Sequence, residues 1–257
     1  MMPKQGQMQA DDGAELFFED AGDGPALLLL HGLTGTHDDF ARVFDLPALR
    51  AIRRVVAPDA RGHGRSTNPG GRFSFRQCAS DVLALLDHLG ITQVQAIGAS
   101  LGAKTLLHVA TRAPSRVSAM VLVSAAPRFP DQTRALLRAA AAAPHSAEDW
   151  SAMRAQHAHG DAQIEAIWGV PQQFADDIGD LTLSAIDLAT IRAKTLIVSG
   201  DRDPLYPIEL AIELYQGIRD SALYIVPGGG HLPIFSKERA PFVARALGWL
   251  GAGPGSR

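Results

Sequence analysis

The sequence predicts an α/β protein with a mainly parallel sheet covered on both faces by helices. Short apolar runs typical of buried strands alternate with longer stretches whose apolar residues recur at helical spacing. This alternation is typical of parallel sheets, because parallel neighbours need a crossover connection. A turn of the pattern G-x-S-x-G, Gly98 to Gly102, also joins an apolar run to a helical stretch.

The elements follow in order along the chain. Residues 6–20 predict an N-terminal hairpin with Gly13 near its turn. The predicted strands after it are 26–30, 54–57, 94–97, 118–123, 194–200 and 222–226. The predicted helices are 38–49, 75–89 ending at Gly90, one from 103, one opening at Tyr206-Pro207, and 237–250.

The segment of residues 128–192 interrupts the strand–helix alternation. It contains an alanine-rich helical stretch at 133–143, a capping signal at 146–149 and a third helical stretch at 163–168. No convincing strand precedes Lys194. We therefore expect about three helices here.

Composition excludes several classes of function. The net charge of −3 gives no basic surface for nucleic acid, and the apolar run at 26–30 is too short to span a membrane. The one cysteine, Cys78, cannot form an internal disulfide, and its helical apolar context predicts a buried thiol. The N-terminus has no signal-peptide pattern, so we expect a soluble cytoplasmic protein.

The turn around Ser100 has the layout of a nucleophile elbow, a strand followed by G-x-S-x-G and a helix. Side chains two residues on either side of the serine would clash in so tight a turn. The turn also puts Ser100 at a helix N-terminus, where backbone N–H groups stabilise an oxyanion. Ser100 is therefore a candidate nucleophile.

A serine nucleophile needs a base and an orienting acid. Asp201 and Asp203 follow the strand at 194–200, and His231 follows the strand at 222–226. The order serine, acid, histidine fits the known arrangement, and each candidate lies just beyond the carboxyl end of a strand, where open α/β sheets bind ligands.

These motifs together resemble the α/β-hydrolase superfamily, specifically its small capped esterase and lactonase type. The other matching stretches are His31-Gly32 after a strand, the D-x-R-G-H-G-x-S loop at 59–66, and G-H-x-P at 230–233. The resemblance implies an eight-stranded, mainly parallel sheet. It also implies a core of residues 1–127 and 193–257 and a small helical cap of residues 128–192, inserted before the strand that carries the acid.

The resemblance also implies roles for single residues. Ser100 would be the nucleophile and His231 the general base. The family's acid usually stands three residues after the glycine that ends its strand, which selects Asp203 over Asp201. The oxyanion hole would be the backbone N–H groups of Leu33 and Leu101, and no cofactor is required.

Other side chains are candidates for the substrate pocket: Trp168, Phe174, Tyr206 and Leu232. His31 and His63 lie in loops whose resemblance favours structural roles. His157, His159 and Asp161 partly match a metal-binding H-x-H-x-D-H pattern, but its last position is Ala162, so we expect no metal site.

The function that these observations favour is hydrolysis of a small carboxylic ester. A lactone hydrolase, a carbon–carbon bond hydrolase or a cofactor-free haloperoxidase would use the same three residues, and a ligand receptor that keeps them is a further alternative. Epoxide hydrolases and haloalkane dehalogenases carry aspartate at the elbow, so Ser100 argues against both. We expect a small-molecule ester or lactone as partner, with the oligomeric state left open.

Overall fold

The computed structural model describes residues 3–177, 179, 180 and 182–251. Its strands are β1 (Lys4–Gln9), β2 (Glu15–Ala21), β3 (Ala26–Leu30), β4 (Arg54–Pro58), β5 (Val94–Ala99), β6 (Val117–Val123), β7 (Lys194–Gly200) and β8 (Ser221–Val226). Its α-helices are α1 (Leu46–Arg50), α2 (Phe75–His88), α3 (Leu101–Arg112), α4 (Asp131–Ala142), α5 (Ala147–Gln156), α6 (Asp161–Asp176), α7 (Ala185–Ala189), α8 (Ile208–Gly217) and α9 (Arg239–Gly251).

The eight strands form one sheet in the order β1-β2-β4-β3-β5-β6-β7-β8. The N-terminal hairpin pairs β1 with β2, and β2 runs antiparallel to β4. All the remaining neighbours are parallel. The prediction of a mainly parallel eight-stranded sheet is confirmed, and the carboxyl ends of its parallel strands meet at one edge.

Helices cover both faces of the sheet, which explains why β3 is apolar at every position. In β3, Leu28 and Leu30 belong to the apolar cluster that contains α2 and α3 residues. Leu27 and Leu29 point to the opposite face, where they belong to the cluster that contains Phe40 and Phe242. Successive residues of one strand thus reach two separate parts of the core.

The stretch predicted as one helix at 38–49 is two short pieces. A 3₁₀ helix spans His37–Arg42, and α1 begins only at Leu46. Asp45 caps α1 by accepting a hydrogen bond from the Ala48 N–H. Pro47 lies in the first turn of α1, where its missing N–H costs no helical hydrogen bond, so a separate helix starts there.

The chain between β6 and β7 is helical, as predicted, but its helices differ in length and number. α6 extends to Asp176, well beyond the predicted 163–168, and contains Pro171. A one-turn helix, α7, is present as well, capped reciprocally by Ser184 and Asp187. α7 was missed because a helix of one turn has too few residues to show a period. The division into core and cap at 127/128 and 192/193 stays a prediction.

Buried polar side chains connect the helices of this segment to one another and connect the segment to the core. Arg134 of α4 donates to the carbonyl oxygens of Phe129 (2.9 Å) and Ala175 (2.8 Å), which joins the start of α4 to the end of α6. Thr133 Oγ1 donates to the Leu205 carbonyl in the loop after β7. None of the described helices has the length and hydropathy that a membrane span requires.

Candidate active site

Ser100 sits in a strained turn between β5 and α3. Its φ of 48° and ψ of −103° lie outside the regions that L-residues usually adopt. A Cβ atom at Gly98 would come within 2.6 Å of the Gly102 carbonyl oxygen, and one at Gly102 within 2.2 Å of the Leu30 carbonyl oxygen. Only glycine fits both positions, so the two glycines of the motif are required by contact with backbone.

Two aspartates follow β7, and they point to different partners. Asp203 Oδ2 lies 2.8 Å from His231 Nδ1, while its Oδ1 accepts hydrogen bonds from the backbone N–H groups of Leu205 and Tyr206. Asp201 Oδ1 instead accepts from the Gly228 N–H. The Asp203 side chain is fully buried. The structure therefore places Asp203 beside His231, whereas Asp201 hydrogen-bonds to the loop that follows β8.

His231 bridges Asp203 and Ser100. Its Nε2 lies 2.9 Å from Ser100 Oγ. Because the Asp203 carboxylate can only accept, it takes the Nδ1–H, which leaves the Nε2 lone pair facing the serine hydroxyl. The three side chains thus form one hydrogen-bonded chain that could move a proton from Ser100 to His231. Their catalytic roles stay predictions.

A residue that sequence reasoning missed supports the His231 loop. Leu232 has a left-handed backbone (φ 55°), and its N–H donates to Ser124 Oγ at 3.0 Å. Ser124 directly follows β6, is fully buried and also has a positive φ of 49°. A serine at the end of a strand carries no special sequence signal, so only the fold reveals this contact.

The two predicted oxyanion donors lie beside the elbow. Leu101 is the first residue of α3, and Leu33 lies in the loop of residues 31–36, which we call the His-Gly loop. Within the described part of the chain, neither backbone N–H has a hydrogen-bond acceptor. The Gly102 N–H donates to the His31 carbonyl at 3.0 Å and holds the elbow and the His-Gly loop together. Their role as oxyanion donors stays a prediction.

His31 and His63 contact backbone atoms of the loops rather than Ser100. His31 Nδ1 lies 2.7 Å from the Gly32 carbonyl, and its Nε2 accepts from the Ala60 N–H. His63 Nδ1 lies 3.0 Å from the Arg61 carbonyl, and burial lowers the pKa of His63 to about 3. His31 joins two loop segments and His63 contacts its own loop, which is consistent with structural roles for both.

The three residues of the partial metal pattern have separate partners. Asp161 accepts from Arg154 on the surface, and the ring nitrogens of His157 and the Nε2 of His159 contact backbone groups of the core loops. Over the described ranges, no group of three or more histidine, cysteine or acidic side chains is placed to hold a metal ion.

The four candidate pocket residues fall into two groups. Tyr206 lies beside His231, with ring centroids 5.2 Å apart, and the Leu232 side chain approaches Gly32. Phe174 stacks on Phe75 in a buried aromatic cluster, and Trp168 packs against other rings of the helical segment. Contact of any of the four with a substrate stays a prediction.

Lys104 is the most unusual residue near the site, and sequence reasoning missed it. It lies one helical turn after Ser100 and is only 2% exposed. Its Nζ hydrogen-bonds to the Tyr206 hydroxyl and lies 4.3 Å from the centroid of the Phe129 ring. Burial lowers the pKa of Lys104 well below its ordinary value, although the charge of Asp203 raises it. A lysine in a helix predicts a solvent-exposed side chain, and Lys104 is buried only because other elements pack around it.

A cleft of about 320 Å³ lies between α6 and the loop of residues 61–73. Its walls include His63, Phe73, Gln163 and Val170, and they include none of Ser100, Asp203 and His231. The cleft is therefore distinct from the place where the three candidate catalytic side chains meet.

Comparison with known proteins gives consistent matches. A family model described as the alpha/beta hydrolase fold matches residues 25–182. A protein described as a carbamate hydrolase, from Variovorax paradoxus, is 29% identical over 260 residues, covering 87% of this chain and 93% of that protein. A 2-hydroxymuconate semialdehyde hydrolase from Pseudomonas putida is 26% identical over 248 residues, covering 89% and 88%.

Solved structures give the same result for the fold. A meta-cleavage product hydrolase from Pseudomonas fluorescens superposes with a TM-score of 0.80 at 22% identity, covering 96% of this chain and 97% of that one. Another curated relative is 40% identical over 121 residues, but these are only 46% of this chain and 32% of that protein. The similarity therefore extends over nearly the whole chain in some relatives and over part of it in others.

Proposed function

We propose that this chain, which belongs to the α/β-hydrolase family, is a serine hydrolase that cleaves small carboxylic esters through an acyl-enzyme. The observation that carries the proposal is the hydrogen-bonded chain from Ser100 through His231 to Asp203 at the carboxyl edge of the sheet. Nucleophile, base and orienting acid are each within hydrogen-bond reach of the next, as this chemistry requires.

In the first half of the reaction, Ser100 Oγ attacks the ester carbonyl while His231 Nε2 takes its proton. The negative charge that develops on the carbonyl oxygen is stabilised by the N–H groups of Leu33 and Leu101. Asp203 keeps the proton on Nδ1 and stabilises the imidazolium that forms. His231 then gives its proton to the departing alcohol.

In the second half, a water molecule takes the place of the alcohol. His231 removes its proton, the water attacks the acyl carbonyl, and the bond to Ser100 Oγ breaks as the proton returns to the serine. The same two N–H groups stabilise the second oxyanion. These residues complete the cycle without a cofactor.

One alternative reaction has a specific observation in its favour. The relative from Pseudomonas putida named as a 2-hydroxymuconate semialdehyde hydrolase matches 89% of this chain. A carbon–carbon bond hydrolase would use the same serine, histidine and aspartate on a vinylogous diketone. Ester hydrolysis is the simpler proposal, because it needs only the groups described and no further proton transfer to carbon.

The experiment compares kcat/KM for p-nitrophenyl esters of graded acyl length, a set of lactones, an aryl carbamate and a vinylogous 1,5-diketone. We expect the short esters to be the best substrates. Ser100→Ala should fold like the wild type and lose activity by a factor on the order of 10⁴ or more. A variant that keeps more than about a tenth of the activity would remove Ser100 as nucleophile, and a clear preference for the diketone would favour carbon–carbon cleavage.

A further inference from the structure

His157, at the C-terminal end of α5, contacts two core loops at once. Its Nδ1 accepts from the Gly64 N–H at 2.9 Å, and its Nε2 lies 3.2 Å from the Thr34 carbonyl oxygen. Because a backbone N–H occupies Nδ1, the proton of the neutral ring is on Nε2, which donates to Thr34. His157 is only 3% exposed, so no water competes freely for either contact.

The Thr34 carbonyl begins a chain of hydrogen bonds through two peptide groups. It belongs to the same peptide plane as the Gly35 N–H, which donates to the Gly32 carbonyl at 3.1 Å. The Gly32 carbonyl in turn belongs to the same plane as the Leu33 N–H. The chain therefore runs from His157, through the peptides 34/35 and 32/33, to the N–H that we assign to the oxyanion hole.

We propose that His157 is a positioning residue for the oxyanion hole, acting through these two peptide planes on the Leu33 N–H. The proposal rests on the role given to Leu33 under the proposed function. Each donor in the chain fixes the rotation of the next plane, and hydrogen bonds in series polarise one another. The Leu33 N–H is thereby held in one direction and carries more positive charge than an isolated amide.

Two features of the His-Gly loop make such support necessary. Thr34 has a positive φ of 66°, which is strained for a residue with a branched side chain. His31 Nδ1 also approaches the Gly32 carbonyl, at 2.7 Å, but it restrains only the second of the two planes. Among the described residues, the contact from His157 restrains the first plane from outside the loop.

A simple docking role for this segment is the competing explanation, and the chain offers a matched control for it. His159, two residues on, also joins the helical segment to the core, since its Nε2 lies 3.1 Å from the Arg65 carbonyl. His159 is exposed, and its hydrogen bonds in the described structure go to Gln163 and Arg65 rather than to the His-Gly loop. Removing His159 therefore weakens docking alone, whereas removing His157 also breaks the relay.

Two conservative substitutions separate the two contacts of His157. The side-chain oxygen of His157→Asn can replace Nδ1 as acceptor for Gly64, but it does not reach Thr34. The amide nitrogen of His157→Gln can replace Nε2 as donor to Thr34, while the Gly64 contact is lost. We expect His157→Asn to lower kcat on p-nitrophenyl acetate about 10- to 100-fold, short of the loss caused by deleting an oxyanion donor.

In the same assay we expect His157→Gln and His159→Ala to keep kcat within about threefold of the wild type, with KM changed little in all three. Equal kcat values for His157→Asn and His157→Gln, whether both high or both low, would overturn the relay. His159→Ala losing as much kcat as His157→Asn would overturn it as well, because docking alone would then explain the loss.

A second readout does not depend on turnover. The amide resonances of Leu33 and Gly35 in ¹⁵N-labelled full-length protein should move upfield in His157→Asn and stay near their wild-type positions in His157→Gln, with Leu101 unchanged in both. If ester hydrolysis is not the activity of this chain, the substrate panel shows that separately, while these shifts still test the relay. Unmoved Leu33 and Gly35 amides in His157→Asn would overturn the inference.

Discussion

The elbow region and the helical segment between β6 and β7 are held in place by different means. At the elbow, backbone packs against backbone, and a methyl group at Gly102 has no room beside Leu30. In the helical segment, side chains reach backbone atoms of the core loops, as Gln163 does with the carbonyls of Gly62 and Gly64. Where backbones pack against each other, a larger side chain cannot be accommodated. A contact made by a side chain, in contrast, can be removed by a single substitution without disturbing the others.

From this difference we expect the two regions to have different roles in the protein. The side chains that we assign to chemistry lie on strands and turns of the elbow region and its neighbours, where small displacements would cost activity. The helical segment is attached mainly through single side chains, and we expect these attachments, apart from that of His157, to tolerate substitution. Substitutions in the two regions should therefore differ in both size and kind of effect, and four predictions test the two regions and the core around them.

The largest difference is expected between the two aspartates after β7. Asp203→Asn should lower kcat by about 10⁴-fold, because an amide cannot hold the proton on His231 Nδ1 in the required form. Asp201→Asn should stay within about tenfold of the wild type, since the Asp201 side chain accepts from the Gly228 N–H rather than from His231. Steady-state kinetics on an activated ester measure both, with circular dichroism as the check on folding. A larger loss in Asp201→Asn would make Asp203 the wrong choice of acid.

A pair of glycines compares the rigidity of the two regions directly. Gly102→Ala should destabilise the fold by about 1–3 kcal/mol, because its Cβ would overlap the Leu30 carbonyl oxygen. Gly169→Ala, in the middle of α6, should stabilise it by about 0.5–1 kcal/mol, because a methyl group there meets no atom within 4 Å. Urea unfolding measures both changes. Similar effects at the two positions would contradict the contrast between backbone and side-chain attachment.

The junction of the two regions is tested at Lys104 and Tyr206. Lys104→Met alone should change stability little, because removing a buried amine is favourable but leaves the Tyr206 hydroxyl without its partner. The double variant Lys104→Met with Tyr206→Phe should be more stable than the wild type by about 1 kcal/mol, since both polar groups are then replaced.

Lys194→Met serves as the control for this pair. The Lys194 ammonium lies over the Trp249 ring at 4.2 Å and away from the site, so its loss should cost about 0.5–1 kcal/mol. Thermal unfolding of all the variants in one buffer supplies the comparison. A double variant markedly less stable than the wild type would mean that the lysine–tyrosine contact is itself a structural support.

The last prediction concerns the pH dependence of stability. Burial lowers the pKa of His63 to about 3 and the pKa of His108 to about 4. A histidine whose folded pKa lies below its unfolded value of 6.5 contributes stability above pH 6.5 and loses it as the pH falls toward the folded pKa. Each such group therefore lowers the free energy of unfolding by up to about 1.4 kcal/mol per pH unit in that window.

His108→Phe removes one of these groups and keeps the stacking on Phe75. The free energy of unfolding, measured with urea at pH 7.5, 6 and 5, should fall less steeply in the variant than in the wild type. Parallel curves for the two proteins would show that His108 does not titrate with unfolding.

Local sequence was sufficient wherever the deciding contacts lie within a few residues. The elbow could be recognised in this way, because Gly98, Ser100 and Gly102 belong to one turn and the apolar runs on either side set its context. The contact that excludes a side chain at Gly102, however, is with Leu30 of β3 and is visible only in the fold. The alternation of strands and helices could be predicted for the same reason, since the spacing of apolar residues that indicates a strand or a helix is set within one short segment. Between Asp201 and Asp203 the residues alone left the choice open, and the resemblance to a family selected Asp203.

Tertiary structure alone decided the features whose partners are distant in sequence. His157 hydrogen-bonds to backbone groups 93 and 123 residues away, and Lys104 hydrogen-bonds to a tyrosine 102 residues further on. Ser124 supports the loop of His231 from 108 residues away. In most of these contacts one partner is a backbone N–H or carbonyl, which every residue possesses and which therefore leaves no pattern in the sequence. Such contacts exist only once the sheet has brought its strand ends together.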